Sequence, residues 1–286
     1  MNGLVLEGGA MRGMFSAGVM DVMMGNGVEF DGVIGVSAGA AFGCNYKSCQ
    51  IGRTIRYNMK YCADPRYCSF RSLVKTGDLY GADFCYRAIP EELDPFDNET
   101  FDRNPTAFYA VCTDVETGRA VYHRCDKAGP SDAMPWIRAS ASMPLVSRPV
   151  EIDGRKYLDG GIADSIPLRY FESIGYERCV VILTQPLGFV KQPASALPLM
   201  KLAMRSYPRV AETMAHRHEN YNQATAYVEQ RERVGAALVI RPETALPISR
   251  VEHDAQKLKK VYDLGRAAAQ RRLNEIIAFL REENGK

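Results

Sequence analysis

Apolar residues occur in short unbroken runs in the first half of this chain and in longer helical periods in the second. Gly3-Leu4-Val5-Leu6 is the first run. It is too short for a helix and does not alternate, as expected of a strand buried on both faces of a parallel sheet. Phe15 to Met24 follows as a helix that Gly25-Asn26-Gly27 ends. Gly32-Val33-Ile34 is the next strand, leading to Ser37, and Ala38 to Cys44 is small and helix-compatible. Strand, glycine loop, helix, strand, sharp turn, helix is a βαβα opening, and it implies a parallel sheet.

The pattern changes at Gln50. The stretch from Gln50 to Cys62 is polar and aromatic, and Asp64-Pro65 breaks it. Residues 66–105 are rich in Tyr, Phe, Pro and turn signals, and read as short helices and loops over the active edge of the sheet. Ala107 to Asp114 is a strand with a hairpin partner at Ala120 to Arg124. Ser131 to Ala141 is helix-like, with Ser131 as a cap and Pro144 just beyond its end. Asp153-Gly154 joins Pro149-Val150-Glu151-Ile152 to Arg155-Lys156-Tyr157-Leu158 as a two-residue hairpin. Ser165-Ile166-Pro167 starts a helix, and Cys179 to Thr184 is another buried strand.

Helices dominate the rest. Helical periodicity covers residues 209–233 and 254–280, with a last strand at Ala237 to Ile240 between them. Residues 186–209 mix Leu187, Phe189, Val190, Leu197, Leu199, Met200, Leu202 and Met204 with Lys191, Lys201, Arg205 and Arg209. The plainer reading is a helix packed on the core with its basic residues in water. The other readings are a lid or a membrane-surface patch. No internal repeat or low-complexity linker is present, so residues 1–286 read as one domain, with a mainly helical C-terminal part over about 186–286.

Composition narrows the class. Hydrophobic residues make up 46% of 286, enough for a large core. The net charge of +2 gives no basic field of the kind that holds nucleic acid. Eight cysteines lack the paired Cys/His spacing of a zinc site, so neither a metal nor a cofactor is expected. The first residues lack a basic, apolar leader, and no run of 18 or more apolar residues suggests a span, so the expectation is a cytoplasmic protein.

Three stretches carry chemistry. Gly35-Val36-Ser37-Ala38-Gly39 is Gly-x-Ser-x-Gly between a strand and a helix. Such a turn lifts the serine oxygen above the sheet, and the helix N-terminus behind it favours an oxyanion. Glu7-Gly8-Gly9-Ala10-Met11-Arg12-Gly13 has two readings. As a dinucleotide fingerprint it has Ala10 where the middle glycine belongs, and no acid ends the second strand. As an oxyanion loop it presents backbone N–H groups at the same sheet edge as Ser37, and this reading is preferred. Asp159-Gly160-Gly161 follows a strand directly; alone, it reads as a turn aspartate capping two glycines.

Together with Ala139-Ser140-Ala141-Ser142-Met143-Pro144, these stretches resemble the patatin-like phospholipase family over roughly residues 3–184, and the C-terminal part resembles a bacterial subgroup. Ala10 departs from a frequent glycine. The resemblance implies a three-layer α/β/α fold with a mostly parallel central sheet. It implies a Ser37–Asp159 dyad that cleaves lipid or small esters through an acyl-enzyme; lipid substrates, with the apolar and basic residues of 186–209, give the expectation of peripheral contact with a membrane surface. The oxyanion loop would comprise Gly8, Gly9, Ala10, Arg12 and Gly13, the elbow Gly35 and Gly39, and the aspartate motif Gly160 and Gly161. Two alternatives stay open: an α/β-hydrolase triad using His216, His218 or His253, and a lipid- or nucleotide-binding module without catalysis.

Overall fold

The computed structural model describes residues 1–129, 132–195 and 197–281. Five strands form the parallel heart of one sheet: β1 (Asn2–Leu6), β2 (Gly32–Val36), β3 (Ala107–Asp114), β7 (Arg178–Ile182) and β8 (Ala237–Ile240), in the order β3-β2-β1-β7-β8. Beyond β3 the sheet turns antiparallel. There, β4 (Ala120–Cys125) and β6 (Arg155–Asp159) both pair with β3, and β5 (Val150–Ile152) pairs with β6. The hairpin residues Asp153 and Gly154 both have positive φ, at 50° and 74°, as a type I′ turn needs.

The apolar runs of the central strands are buried because helices cover both faces. Leu4, Leu6 and Val33 enter one core, and Val5, Ile34 and Val36 the other, following the two-residue side-chain alternation of a strand. The first face carries α1 (Gly13–Gly25), α2 (Ala38–Lys47), α3 (Arg53–Tyr61), a π-helix at Phe84–Leu93, α5 (Asn98–Arg103) and α6 (Ala133–Ser140), with the short α4 (Phe70–Thr76) following α3 in the chain and burying no residue. The second is covered by α7 (Leu168–Ser173), and α8 (Leu197–Ala203) and the long α9 (Pro208–Arg233) follow it in the chain. The last helix, α10 (Ala255–Arg281), returns to the first face and packs along α1. This is the three-layer α/β/α arrangement.

Several expectations change in detail. Ser131, expected to cap a helix, lies outside the described residues, and Asp132 precedes α6. Pro167 stands just before α7 instead of in its first turn. The packing reading of residues 186–209 holds only in part. Leu197 and Met200 lean on a small core that contains Met204. No residue of α8 is fully buried, and Leu199 and Leu202 are 56% and 63% exposed. Its amphipathic pattern is too short to seat both sides against the sheet. Among the described residues no helix is long and apolar enough to cross a membrane.

The contact between α1 and α10 is backbone against backbone. A Cβ on Gly265 would lie 2.0 Å from the Phe15 carbonyl oxygen, and one on Gly18 would lie 2.0 Å from that of Tyr262. Gly265→Ala must therefore push the helices apart. We expect a loss of about 1–3 kcal/mol, the usual cost of overpacking, measured by equilibrium urea unfolding. Unchanged stability would mean that α10 is not seated this closely.

Candidate active site

Ser37 stands between β2 and α2 with φ 56° and ψ −120°, a backbone conformation that disfavours any residue with a side chain. Two glycines permit this turn. A Cβ on Gly35 would lie 2.4 Å from the Gly39 carbonyl oxygen, and one on Gly39 would lie 2.5 Å from that of Leu6. The strained turn is also tied down. The Ser37 N–H donates to Ser140 Oγ at 2.9 Å, and that hydroxyl donates to the Val111 carbonyl at 2.6 Å.

The glycine loop lies alongside because β1 and β2 pair in parallel with Leu6 opposite Gly35. Gly8 packs against the elbow, where an added Cβ would meet Ser37 Cβ at 3.1 Å. Neither the Gly9 nor the Ala10 N–H finds a backbone acceptor among the described residues. Both therefore remain available to a ligand oxygen. Ala10 adopts φ 49°, a left-handed conformation that costs a residue with a Cβ about 1–2 kcal/mol. Alanine in place of glycine thus keeps the loop geometry at a cost in strain. Gly13 opens α1, packed on Phe42. The Arg12 side chain turns aside and donates from Nε to Thr184 Oγ1 at 3.4 Å.

Sheet register brings Asp159 to the serine. Val36, the last residue of β2, pairs with Val111, and β3 continues past it through Cys112, Thr113 and Asp114. The antiparallel β6 runs back along this overhang and ends with Asp159 opposite Cys112. That is the level of the residue after Val36, which is Ser37. The Asp159 N–H donates to the Ser142 carbonyl at 2.8 Å, and its carbonyl accepts from Thr113 Oγ1 at 2.8 Å. Its carboxylate accepts the Gly161 N–H at 2.7 Å and has the Ser37 hydroxyl as a close neighbour. Asp159 is only 4% exposed. Burial pushes its pKa above the ordinary carboxyl value, opposed by the Ser37 hydrogen bond and by the nearby Arg217 charge.

None of the four histidines has Ser37 or Asp159 as a partner. His123 binds Asp132 and stacks on Trp136, His216 and His218 face Glu219, and His253 bonds the Cys62 carbonyl.

Residues 4–172 match the family model described as Patatin-like phospholipase. The chain belongs to the patatin-like phospholipase family. It is an ester hydrolase of that family. Residues 207–281 match a second family, described as Domain of unknown function (DUF6363). The chain is 28% identical to the "Uncharacterized protein YjjU" of Escherichia coli (strain K12), covering 98% of this chain and 79% of that one. It is 25% identical to an "Uncharacterized NTE family protein" of Mycobacterium bovis, over 63% of this chain and 48% of the relative. It is 26% identical to the "Lysophospholipase NTE1" of Chaetomium globosum, over 60% of this chain but only 11% of the fungal protein.

In this patatin-like chain an apolar cavity of about 140 Å³, partly open to solvent, starts at Ser37 and Ala10. Met11, Phe42, Tyr57, Tyr80, Ile89, Pro90 and Ile137 line it, so the aromatic segment of residues 66–105 forms one of its walls. Two supporting residues have roles that no motif announces. Ser140 lies within residues 139–144 and holds the elbow through its hydroxyl. Arg217 donates from Nε to the Gly161 carbonyl. Arg217 did leave a signal, because it occupies the inward stripe of α9 with Val210, Met214, Tyr221 and Val228.

Ser140→Ala leaves the Ser37 N–H without its buried acceptor. We expect a loss of about 1–3 kcal/mol, read by thermal unfolding, with a drop in esterase turnover because the elbow loosens. Full activity in a destabilised variant would separate Ser140 from the elbow.

Proposed function

We propose that the protein is a lipid acyl hydrolase that uses Ser37 and Asp159 as a catalytic dyad. The observation that carries this reading is a buried carboxylate neighbouring the Ser37 hydroxyl, while each of the four histidines has other partners. A serine hydroxyl needs a base, and an ordinary aspartate is too weak near neutral pH. Burial makes this one stronger. Asp159 takes the hydroxyl proton as Ser37 Oγ bonds to the ester carbonyl carbon. The resulting oxyanion accepts from the Gly9 and Ala10 N–H groups. As the carbon–oxygen bond to the alcohol breaks, Asp159 returns the proton to the departing oxygen. Water, deprotonated by Asp159, then attacks the acyl-enzyme, and Ser37 leaves with the proton. Cleavage of lysophospholipids is in keeping with the printed name of the fungal relative, and the apolar cavity suits the acyl chain.

We also read residues 1–286 as one hydrolase domain. Support comes from β8, which completes the sheet beside β7, and from α10, which packs on α1. Cytoplasmic residence agrees with eight free cysteines, as reducing compartments keep thiols unpaired. Exposed Leu187, Val190, Leu199 and Leu202 lie near exposed Lys201 and Arg205, which suits reversible contact with an anionic lipid surface.

A fluorophosphonate probe should label Ser37, and Ser37→Ala should abolish both labelling and ester hydrolysis. Asp159→Asn should lose at least about 10²-fold in kcat. The same substitution should stabilise the protein. Because burial raises the folded pKa of Asp159 above its ordinary 3.8, the ionised carboxylate destabilises the fold once pH rises through the folded value, and not below the unfolded one. The gain in Tm should therefore grow with pH. Labelling that survives Ser37→Ala, or a histidine variant as inactive as Ser37→Ala, would overturn the dyad.

Membrane contact has its own test. Liposome co-sedimentation should need anionic lipid, fall with salt, and weaken when Lys201 and Arg205 are both changed to Glu, since each basic residue near such a surface adds roughly 1 kcal/mol. Equal sedimentation of the double variant would remove this stretch from the membrane contact.

A further inference from the structure

Near the dyad but outside the lining of the acyl cavity, three cations come together with no ion-pair partner among the described residues. Arg12 comes from the glycine loop, Lys191 from the segment after β7, and Arg217 from α9. Each is partly buried and partly open to solvent. Their contacts hold them at the site. Arg12 bonds Thr184, against which Gly9 packs. Arg217 bonds the Gly161 carbonyl, two residues from Asp159. The Lys191 ammonium sits 3.9 Å above the centre of the Tyr221 ring, one helical turn along from Arg217.

No carboxylate oxygen lies within 4.0 Å of any of the three charged groups among the described residues. The nearby acid Glu7 is already occupied. Its two oxygens accept from the Tyr221 hydroxyl at 2.7 Å and the Thr184 N–H at 2.5 Å. Asp159 accepts from the Gly161 N–H and neighbours the Ser37 hydroxyl. Partly desolvated like charges repel, and a site that gathers them is destabilised until an anion enters. A carboxylate offers two acceptor oxygens in one plane. A phosphoryl group offers at least as many in three dimensions and so meets donors arriving from three elements. None of the three cations lines the acyl cavity.

We propose that Arg12, Lys191 and Arg217 form a subsite for the phosphoryl group on the alcohol side of a glycerol ester, while the acyl chain lies in the apolar cavity. The proposal rests on the ester-hydrolase reading and adds a preference for phosphate-bearing over neutral glycerol esters. Two of the three cations, Lys191 and Arg217, lie beyond the residues matched by the Patatin-like phospholipase family. This preference is therefore carried by the C-terminal part of the chain. Lys191 supports it electrostatically. Burial and the Arg217 charge push its pKa down to about 7, with Arg12 and Arg250 adding and Glu7 opposing, while Tyr221 packs beneath it. A bound phosphoryl group would favour the protonated form. Affinity for it should therefore fall as pH rises past about 7.

The test compares 1-acyl-glycerol 3-phosphate with the 1-monoacylglycerol of the same chain. The wild type should prefer the phosphate ester in kcat/KM. Lys191→Met should lower that preference about tenfold, the effect of one lost charge-assisted hydrogen bond. The change should reside in KM, and Lys191→Arg should restore it. Calorimetry with glycerol 3-phosphate on the Ser37→Ala protein needs no turnover. Binding should be seen there, should weaken above about pH 7, and should weaken about tenfold with Lys191→Met added. Inorganic phosphate should compete with the phosphate ester. An unchanged preference in Lys191→Met overturns the proposal, as does phosphate inhibition that is not competitive, which would mark a regulatory anion. Failure of the dyad reading looks different: no ester is cleaved, yet Ser37→Ala still binds glycerol 3-phosphate.

Discussion

The site depends on one strained residue. Ser37 occupies a backbone region that costs a side-chain-bearing residue about 1–3 kcal/mol. The strain persists because the surroundings leave no alternative. On one side the helix backbone presses to within a glycine's clearance of β1 and β2. On the other the buried Ser140 hydroxyl accepts from the Ser37 N–H and donates to the Val111 carbonyl of β3. Relaxing the turn would break a buried hydrogen bond and drive α2 into the sheet. The serine oxygen is thereby fixed where Asp159 can reach it.

Asp159 shows the complementary constraint. Its main chain is bonded at both N–H and carbonyl, so the carboxylate cannot swing toward water. A buried carboxylate destabilises the protein at neutral pH, and that same burial raises its affinity for a proton. The Ser37 hydroxyl, the Arg217 charge and the Gly161 N–H favour its ionised form. Stability and proton affinity are thus set against each other at a single side chain.

The sheet sorts the surroundings of the dyad by chemistry. The first face gathers the apolar and aromatic side chains of α2, the π-helix and α6 into a cavity. The glycine loop and the segments from β7 and α9 gather cations instead. An ester spanning the two would place its carbonyl between them, beside Ser37. The C-terminal helices therefore do more than close the core, since α9 reaches the catalytic edge through Arg217.

The sequence by itself determined the central strands, the elbow, the glycine loop and the tight hairpin. These follow from local rules: apolar runs of strand length, small residues where backbones touch, and Asp-Gly where φ must be positive. It also singled out Ser37 and Asp159, through motifs and not through any visible link between them. Only the tertiary structure decided that link. Asp159 reaches Ser37 because β3 outruns β2 and an antiparallel β6 follows the overhang back, and register between distant strands leaves no local trace. Ser140 and Arg217 were hidden for the same reason. Their partners are 103 and 56 residues away in sequence, and a hydroxyl or guanidinium declares its role only when its acceptor is in place. Residues 186–209 marked the opposite limit. Their amphipathic pattern was legible, but whether leucines on so short a helix meet the core or water depends on how the chain is anchored at either end.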